Sequence, residues 1–421
     1  MEICWIQCRP MRFRVGRDVK GASLTETPRM QQPLRVMTFL HSFEPGGVER
    51  VALRLTQAWG ERAIDSQLVL GRSEGAMRSE WPALSYSSLA VRGLATARFE
   101  TLWMILRLPG EIRRQRPDIL FCAGNTYTVV AVAMKLLLGN DCPPIVAKVS
   151  NDLTRRDLVG PARWGYRWWL RLQGRFIDQF VGMASPMSSE IANAMQLPAS
   201  AVAIINDPAI TVADLSQTAR TRALRYGAPQ GRRYIAVGRL VAQKNFALLI
   251  RAFAAMAGPQ DCLTILGDGP ERAPLTRLIA HLGMTGQVHM PGHIGPVMEQ
   301  LRESDVFVLS SDYEGVPAVI IEALAVGLVI VATDCSVSMA SLLEDGALGE
   351  LVPRRSTWCL EQAMRAAAVR ISDAGRARRQ ASRFTVEHAA DAYAALFART
   401  VADVRKAPNP KNNSRVADAM S

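Results

Sequence analysis

The sequence lacks the features that mark membrane-spanning, disulfide-rich, zinc-binding or secreted proteins. No apolar run approaches the ~18 residues that a membrane-spanning helix needs. The seven cysteines are odd in number and scattered, which argues against a disulfide framework. Cys4 and Cys8 have no histidine or further cysteine at ligand spacing, so no zinc site is predicted. The N-terminus has arginines but no continuous apolar segment of a signal peptide, so a cytoplasmic protein is predicted.

Negative charge is also scarce. Lysine and arginine total 50 against 38 aspartates and glutamates, a net charge of +12. Such a balance favours nucleic acid, anionic lipid or a phosphorylated substrate as a partner. Zinc-finger spacing and an RNP-like aromatic strand are both missing, so nucleic acid is not predicted as a partner. A phosphorylated substrate and an anionic membrane surface remain.

The length and the order of elements indicate two α/β domains. A chain of 421 residues exceeds the usual size of one core. Short apolar runs alternate with amphipathic helical segments, which is typical of doubly wound parallel sheets. One domain is predicted over 34–207 and another over 208–384, with a helix over 385–405 that crosses back to the first. Residues 1–33 are predicted to be a basic disordered extension, and 406–421 a disordered tail.

The segment 305–334 reads as strand, loop, helix and strand. Val306–Leu309 and Val329–Thr333 are apolar runs typical of buried parallel strands, with a helix predicted over Ala318–Val326. In such a unit the loop and the start of the helix lie at the ligand-binding edge of the sheet. Free backbone amides near Ala318–Ile320 are expected to hold a phosphate there.

Two carboxylates lie at this edge, Glu314 in the loop and Glu322 in the second helical turn. Their spacing resembles the E-x7-E signature of retaining GT-B glycosyltransferases of the GT4-type family (glycosyl transferases group 1). The resemblance implies that Glu314 contacts donor-sugar hydroxyls and Glu322 the ribose of the nucleotide. It also implies that Gly315, Val316 and Val319 line the nucleotide-sugar site. Without it, a solvated loop glutamate and one favoured by a helix N-terminus would explain both residues.

A second motif follows the predicted strand Tyr234–Val237. Gly238, Arg239 and Lys244 resemble the family's G-R-L-x-x-x-K motif, which implies that the two cations clamp the diphosphate. Two cations five positions apart can stabilise a leaving diphosphate without a metal. The alternative is an exposed basic loop. The sequence contains no D-x-D motif, which argues against metal-dependent GT-A enzymes, and neither metal nor cofactor is predicted.

Several weaker motifs complete the predicted nucleotide-sugar site. Each would be unremarkable alone, because glycine-rich turns are common. By resemblance, one glycine pair faces the donor phosphate and the acceptor, a second turn lies on the nucleotide side, and a dipeptide contacts the base. These residues are, in that order, Gly46 and Gly47; Gly267, Asp268 and Gly269; His293 and Ile294.

The chain departs from the family pattern after the strand that ends at Cys122. Many members have a histidine near the donor sugar there, and Asn125 occupies that position. Asparagine cannot titrate, so general acid–base chemistry at this position is excluded. The mechanism usually suggested for the family lets the leaving diphosphate take the acceptor proton. His41 is a candidate for the missing ring; the alternative is a polar residue at a strand end.

The segment 155–176 carries two adjacent helical stripes. Arginine and tryptophan side by side are typical of an interfacial helix, so contact with an anionic membrane or a lipid-diphosphate acceptor is predicted. The alternative is a helix packed on the first sheet with a solvated basic edge. The residues of this patch are Arg163, Trp164, Arg167, Trp168 and Arg171.

Together these patterns predict a GT-B fold, in which two Rossmann-like doubly wound α/β domains face each other across a cleft. The predicted activity is retaining transfer of a hexose from a UDP-sugar to an envelope or exopolysaccharide glycan, free or lipid-linked. The predicted location is the cytoplasm, at the inner face of the membrane. The alternatives are a GT-B-fold nucleotide-sugar epimerase or hydrolase, and an inactive membrane-associated scaffold.

Overall fold

The computed structural model describes residues 33–44, 46–62, 64–91, 96–150, 153, 160–221, 231–295 and 297–406. The predicted disordered extension, apart from Pro33, lies outside the described residues. The predicted tail does so from residue 407 onwards, as do residues 155–159 of the arginine–tryptophan segment.

The first sheet is wholly parallel and has the strand order β3-β2-β1-β4-β5-β6-β7. The order reverses between β1 and β4, and such a reversal opens a crevice at the carboxyl ends of the strands. The strands are β1 Arg35–Leu40, β2 Asp65–Leu70, β3 Tyr86–Ser88, β4 Ile119–Cys122, β5 Ile145–Lys148, β6 Gln179–Gly182 and β7 Val202–Ile204.

Helices cover both faces of this sheet. They are α1 Gly47–Gly60, α2 Glu100–Gln115, α3 Thr128–Leu138, α4 Gly160–Phe176 and α5 Met187–Met195. Crossovers between parallel strands are right-handed, so α2 to α5 share one face and α1 takes the other. The packing agrees, because α2 contacts α3, α3 contacts α4 and α4 contacts α5.

The second sheet is also parallel, with the order β10-β9-β8-β11-β12-β13. Its strands are β8 Arg233–Val237, β9 Cys262–Leu266, β10 Val288–Gly292, β11 Val306–Leu309, β12 Val329–Thr333 and β13 Glu350–Val352. The helices between the last strand of the first sheet and residue 382 are α6 Val212–Thr221, α7 Phe246–Met256, α8 Arg272–His281, α9 Val297–Arg302, α10 Ala318–Val326, α11 Met339–Leu342, α12 Thr357–Val369 and α13 Ala374–Ser382.

The chain passes between the two domains twice, and the two passages lie side by side. Ile210 forms a parallel bridge with Thr385, and the Val386 N–H donates to the Ile210 carbonyl at 2.8 Å. The final helix, α14 (Val386–Lys406), then packs on α1, where the Trp59 indole N–H donates to the Ala390 carbonyl at 3.2 Å. The last helix therefore belongs to the packing of the first domain.

The α/β class and the two Rossmann-like sheets are as predicted. Strands β3 and β13 are not predicted from the sequence, because Tyr-Ser-Ser and Glu-Leu-Val are too short for a periodic signal. Among the described helices, none is both long enough and apolar enough to cross a bilayer.

Candidate active site

The carboxyl ends of β8, β9 and β10 meet through glycines. Gly267 has a φ of +136°, and its N–H donates to the Gly292 carbonyl at 2.8 Å. A Cβ on Gly267 would lie 2.0 Å from the Gly238 carbonyl oxygen, and one on Gly269 would lie 2.4 Å from the Leu240 carbonyl oxygen. Side chains cannot be accommodated at such distances. These loops therefore contact one another through backbone atoms, and glycine is required at the contact points.

The predicted diphosphate lysine and the predicted sugar glutamate form an ion pair. Lys244 Nζ lies 2.6 Å from Glu314 Oε1, and the two side chains are only 18% and 11% exposed. Backbone contacts fix both partners: the Glu314 N–H donates to the Cys335 carbonyl at 3.0 Å, and the Ser310 hydroxyl donates to the Lys244 carbonyl at 2.8 Å. The sequence predicts contacts of each residue with a donor, and it does not predict this pairing.

Other predicted residues of this domain lie around the pair. Arg239 is exposed and makes no ion pair with any residue that the structure describes. The Asp268 carboxylate accepts the Gly269 N–H at 2.7 Å. His293 is exposed and Ile294 partly buried, both directly after the strand end at Gly292.

The start of α10 differs in one respect from the prediction. Pro317 is the residue before the helix, and its carbonyl accepts the Ile320 N–H at 3.0 Å. The Ile320 amide is therefore not free for a phosphate, since the first turn closes on it. Val316 is buried and Val319 partly buried, while the Ser336 hydroxyl donates to the Gly315 carbonyl at 2.7 Å.

The loop that carries Glu314 touches the first domain. A Cβ on Gly315 would lie 2.4 Å from the Ser150 carbonyl oxygen and 2.7 Å from Met183 Cε. Ser150 follows β5, so this contact joins the carboxyl edges of the two sheets. The Lys244–Glu314 pair thus lies where the domains meet.

Asn125 acts here as a backbone anchor. Its Oδ1 accepts the Ser150 N–H at 3.0 Å, and its own N–H donates to the Ser150 hydroxyl at 3.4 Å. A Cβ on the preceding Gly124 would lie 2.7 Å from Val48 Cγ1 in the first turn of α1. The contacts therefore run from the start of α1, directly after Gly46, through Asn125 and Ser150 to Gly315.

Beside these contacts lies a hydrogen-bonded group that contains the predicted candidate His41 together with Tyr127 and Glu49, which the sequence does not single out. The Tyr127 hydroxyl donates to Glu49 Oε1 at 2.7 Å and accepts the His41 N–H at 3.3 Å. The His41 Nε2 lies 3.3 Å from the Thr101 hydroxyl. Burial lowers the pKa of His41, which favours the neutral ring. The sequence feature that could have revealed this group is the position of Glu49, two residues after Gly47.

Glu322 differs from Glu314 in its electrostatic surroundings. Burial raises its pKa to about 7, and the nearby guanidinium groups of Arg54 and Arg50 on α1 oppose that rise. Arg54 also donates to the carbonyls of Pro208 and Ala209 in the passage between the domains. Glu322 is thus a partly buried carboxyl group that faces cations of the first domain.

The arginine–tryptophan helix α4 turns both stripes outwards. Trp164 is 68% exposed and Trp168 is 56% exposed, whereas Leu170 and Gln173 are the residues it buries. Arg163, Arg167 and Arg171 are also exposed. Trp164 and Trp168 therefore do not pack on the sheet, whereas Trp169 is partly buried against the core.

Comparison with known proteins shows the class. The chain matches the model of glycosyl transferases group 1 over residues 227–368 and that of the glycosyl transferase 4-like domain over 46–207. It belongs to the GT4-type glycosyltransferases of the GT-B fold, as predicted, and is a glycosyltransferase.

Individual relatives share low sequence identity with the chain or match only part of it. The chain is 27% identical over 303 residues to the lipopolysaccharide core biosynthesis glycosyltransferase LpsE of Rhizobium meliloti, covering 70% of this chain and 78% of that one. It is 36% identical over 115 residues to the amylovoran biosynthesis glycosyltransferase AmsD of Erwinia amylovora, which covers 27% of this chain and 32% of AmsD. The crystal structure of Anabaena HepE in complex with UDP is similar in fold, with a TM-score of 0.66 and 17% identity over 87% of this chain and 100% of HepE.

Proposed function

We propose that this enzyme is a retaining, metal-independent glycosyltransferase that takes a hexose from a UDP-sugar bound in the cleft between its two domains. The Lys244–Glu314 pair carries this proposal. It places a cation and a carboxylate 2.6 Å apart, beside the point where Gly315 approaches Ser150.

The donor replaces this ion pair. Its diphosphate takes Lys244 and the exposed Arg239, while the sugar hydroxyls donate to the Glu314 carboxylate. Both charges keep a partner, so neither is left desolvated and unpaired when the donor binds. Cations held at the leaving diphosphate stabilise the charge that develops as the glycosidic bond breaks.

The acceptor proton leaves with the diphosphate. Asn125 cannot take a proton, and its Oδ1 already accepts the Ser150 N–H. The role of Asn125 is therefore to hold the loop edge against which the sugar rests. Ribose hydroxyls donate to Glu322, whose ionised form is stabilised against its burial by Arg54 and Arg50 of α1.

The acceptor is an envelope or exopolysaccharide glycan. The names of LpsE and AmsD support this class, because one acts in lipopolysaccharide core biosynthesis and the other in amylovoran biosynthesis. The complex of HepE with UDP supports the choice of nucleotide. A lipid-linked acceptor and a place at the inner face of the membrane fit the outward stripes of α4.

A thermal-shift screen with UDP-, GDP- and ADP-sugars tests the donor assignment. Binding stabilises the folded state by RT ln(1 + [L]/Kd), about 2.7 kcal/mol at a hundred times Kd. UDP-sugars should raise the melting temperature most, and this rise should be lost in Lys244→Ala.

The matched control is Lys135→Ala. Lys135 Nζ lies 2.7 Å from Asp178 Oδ2 in a similar ion pair, at the amino ends of the strands of the first sheet and away from the cleft. It should keep the shift. A larger shift with GDP- or ADP-sugars, or an undiminished shift in Lys244→Ala, would overturn the assignment.

A further inference from the structure

Asp312 contacts the residues on both sides of Lys244. It lies two positions before Glu314, and its side chain is 17% exposed. Its N–H donates to the Gln243 carbonyl at 2.8 Å, and its Oδ1 accepts the side-chain N–H of Asn245 at 3.2 Å. The segment that carries Lys244 is therefore tied, immediately before and immediately after the lysine, to the loop that carries Glu314.

Asn245 is held in the orientation that this contact needs. Its φ is +46°, a left-handed conformation that asparagine adopts more readily than most residues with a side chain. It precedes helix α7, and its Oδ1 accepts the Leu248 N–H at 3.3 Å as a helix cap. The oxygen of the side-chain amide thus binds the helix and the nitrogen binds Asp312. A half-turn of the amide would break both hydrogen bonds, so the contact has one geometry.

The second oxygen of Asp312 binds a third loop. Its Oδ2 accepts from Arg355 Nη2 at 2.9 Å and from Arg355 Nε at 3.1 Å, and Arg354 Nη1 donates to the Asp312 carbonyl at 3.1 Å. Both arginines follow β13. The Arg355 side chain is 76% exposed, so its ion pair adds little to the free energy of unfolding and serves chiefly to orient the carboxylate. Asp312 thus connects the loops that follow β8, β11 and β13.

We propose that Asp312 is a positioning residue for glycosyl transfer. It fixes the backbone of Lys244 relative to Glu314, so that both side chains are in place when the donor replaces their ion pair. This inference rests on the proposed function of that pair. A lysine ammonium sits on a flexible four-carbon chain, so its position at the diphosphate depends on how firmly its backbone is held. Asp312 acts through Lys244 and does not itself contact the donor.

The variant Asn245→Asp breaks the contact and keeps the fold. Aspartate caps helices and adopts a left-handed φ as asparagine does, so α7 retains its cap. The second oxygen of the new carboxylate faces the Asp312 carboxylate, and the two like charges repel. The measurement is kcat for release of UDP from the UDP-hexose that raises the melting temperature most. It should fall about tenfold, because a small displacement of a charge-stabilising group is costly.

The reciprocal exchange should restore activity. When Asp312→Asn is added to Asn245→Asp, the amide nitrogen at position 312 donates to the carboxylate at position 245, and its oxygen accepts from Arg355. Every contact of the parent is then present with the polarity of one hydrogen bond reversed. The kcat of this double variant should return to within about twofold of the parent, since the two changes compensate each other. Asp312→Asn alone satisfies only one of its two partners, so its kcat should stay below that of the parent.

A Lys244→Ala background separates this inference from the proposed function. Lys244→Ala should itself lower kcat, and Asn245→Asp should then lower it by about a factor of two at most, because the cation that the contact positions is gone. An undiminished loss in both backgrounds would overturn the positioning role and leave the proposed function standing. Parental kcat in Lys244→Ala would instead overturn the proposed function and, with it, the role of Asp312.

The matched control is Asp305→Asn. Asp305 lies at the amino end of β11, the strand that Asp312 follows, and its carboxylate accepts the Arg233 N–H at 3.0 Å and pairs with the Arg233 guanidinium at 3.3 Å. This variant should keep parental kcat. Urea unfolding of every variant distinguishes a loss of stability from a loss of turnover. Parental kcat in Asn245→Asp, no recovery in the double exchange, or an equal loss in Asp305→Asn would overturn the inference.

Discussion

The two sides of the cleft are built differently. On the second domain, the proposed site consists of short segments that each run from a strand end into a loop and a helix, and it carries the charges of Arg239, Lys244 and Glu314. On the first domain, the equivalent edge is held by hydrogen bonds of Glu49, Tyr127, Asn125 and Ser150, which join residues distant in sequence, as the Lys244–Glu314 pair does. Glu49 meets Tyr127 across 78 residues, and Ser150 meets Asn125 across 25.

The two edges therefore differ in kind: the proposed diphosphate site is made of backbone and full charges, whereas the first-domain edge is a hydrogen-bonded network. A diphosphate is recognised by backbone and by two cations, which one local motif can supply. The first-domain edge instead holds a histidine whose pKa is lowered by burial and a carboxylate bonded to a tyrosine hydroxyl. We expect a change in one member of this network to alter the first-domain edge and to leave the proposed diphosphate site unchanged.

The largest effect should come from the cations of the second domain. Arg239→Ala or Lys244→Ala should lower kcat by on the order of 10²–10³, the usual cost of removing one preorganised charge-stabilising group. Steady-state kinetics with and without EDTA measure this, and EDTA should not change the result. Lys135→Ala serves as the control and should keep parental kcat. Complete loss of parental activity in EDTA would refute the metal-free mechanism.

The next effect should come from Glu314→Ala. We expect kcat to fall by on the order of 10², because the sugar loses a charged acceptor that strengthens as positive charge develops. Gln243 offers a neighbouring control, since its side-chain amide donates to the carbonyl of Tyr313, the residue before Glu314, at 2.7 Å. If Gln243→Ala lowered kcat as much as Glu314→Ala, loop order and not the carboxylate would be the cause.

The sequence predicts what is local and misses what depends on packing. The strands and glycines of the second domain, and the order strand–loop–helix around Glu314 and Glu322, follow from periodicity and turn chemistry. The pairing of Lys244 with Glu314 joins residues 70 positions apart, so no local pattern reveals it. The exposure of Leu136 and Leu137 is hidden for the same reason, because α3 is apolar all round and its buried side is set by its neighbours.

A smaller effect should appear in the pH dependence of stability at the junction of the domains. Glu322 has a pKa of about 7 in the folded protein against 4.5 ordinarily, so its ionised form destabilises the fold above pH 7 and has no effect below pH 4.5. Glu322→Gln should therefore be more stable than the parent at pH 8 by up to about 3 kcal/mol, and the gap should narrow as pH falls towards 5. Denaturant unfolding at both pH values checks this. A constant gap would contradict the raised pKa.

The smallest effect should come from the first-domain network. Tyr127→Phe removes one hydroxyl bonded to Glu49, so the free energy of unfolding should fall by about 1–2 kcal/mol while UDP affinity stays the same. Urea unfolding and UDP titration of the same preparation measure both quantities. A loss of UDP affinity would show that the two sides of the cleft are not separable in this way.

Calorimetric titration with free UDP of the parent, Glu322→Ala and Glu314→Ala tests the central claim most directly, namely that the donor replaces the Lys244–Glu314 pair while its ribose rests on Glu322. Glu322→Ala should bind UDP about 10- to 100-fold more weakly, because hydrogen bonds to a charged acceptor are worth roughly 1.5–3 kcal/mol. Glu314→Ala should bind UDP as tightly as the parent or more tightly, because Lys244 is released to the diphosphate. Equal losses in both variants, or parental affinity in Glu322→Ala, would contradict the account.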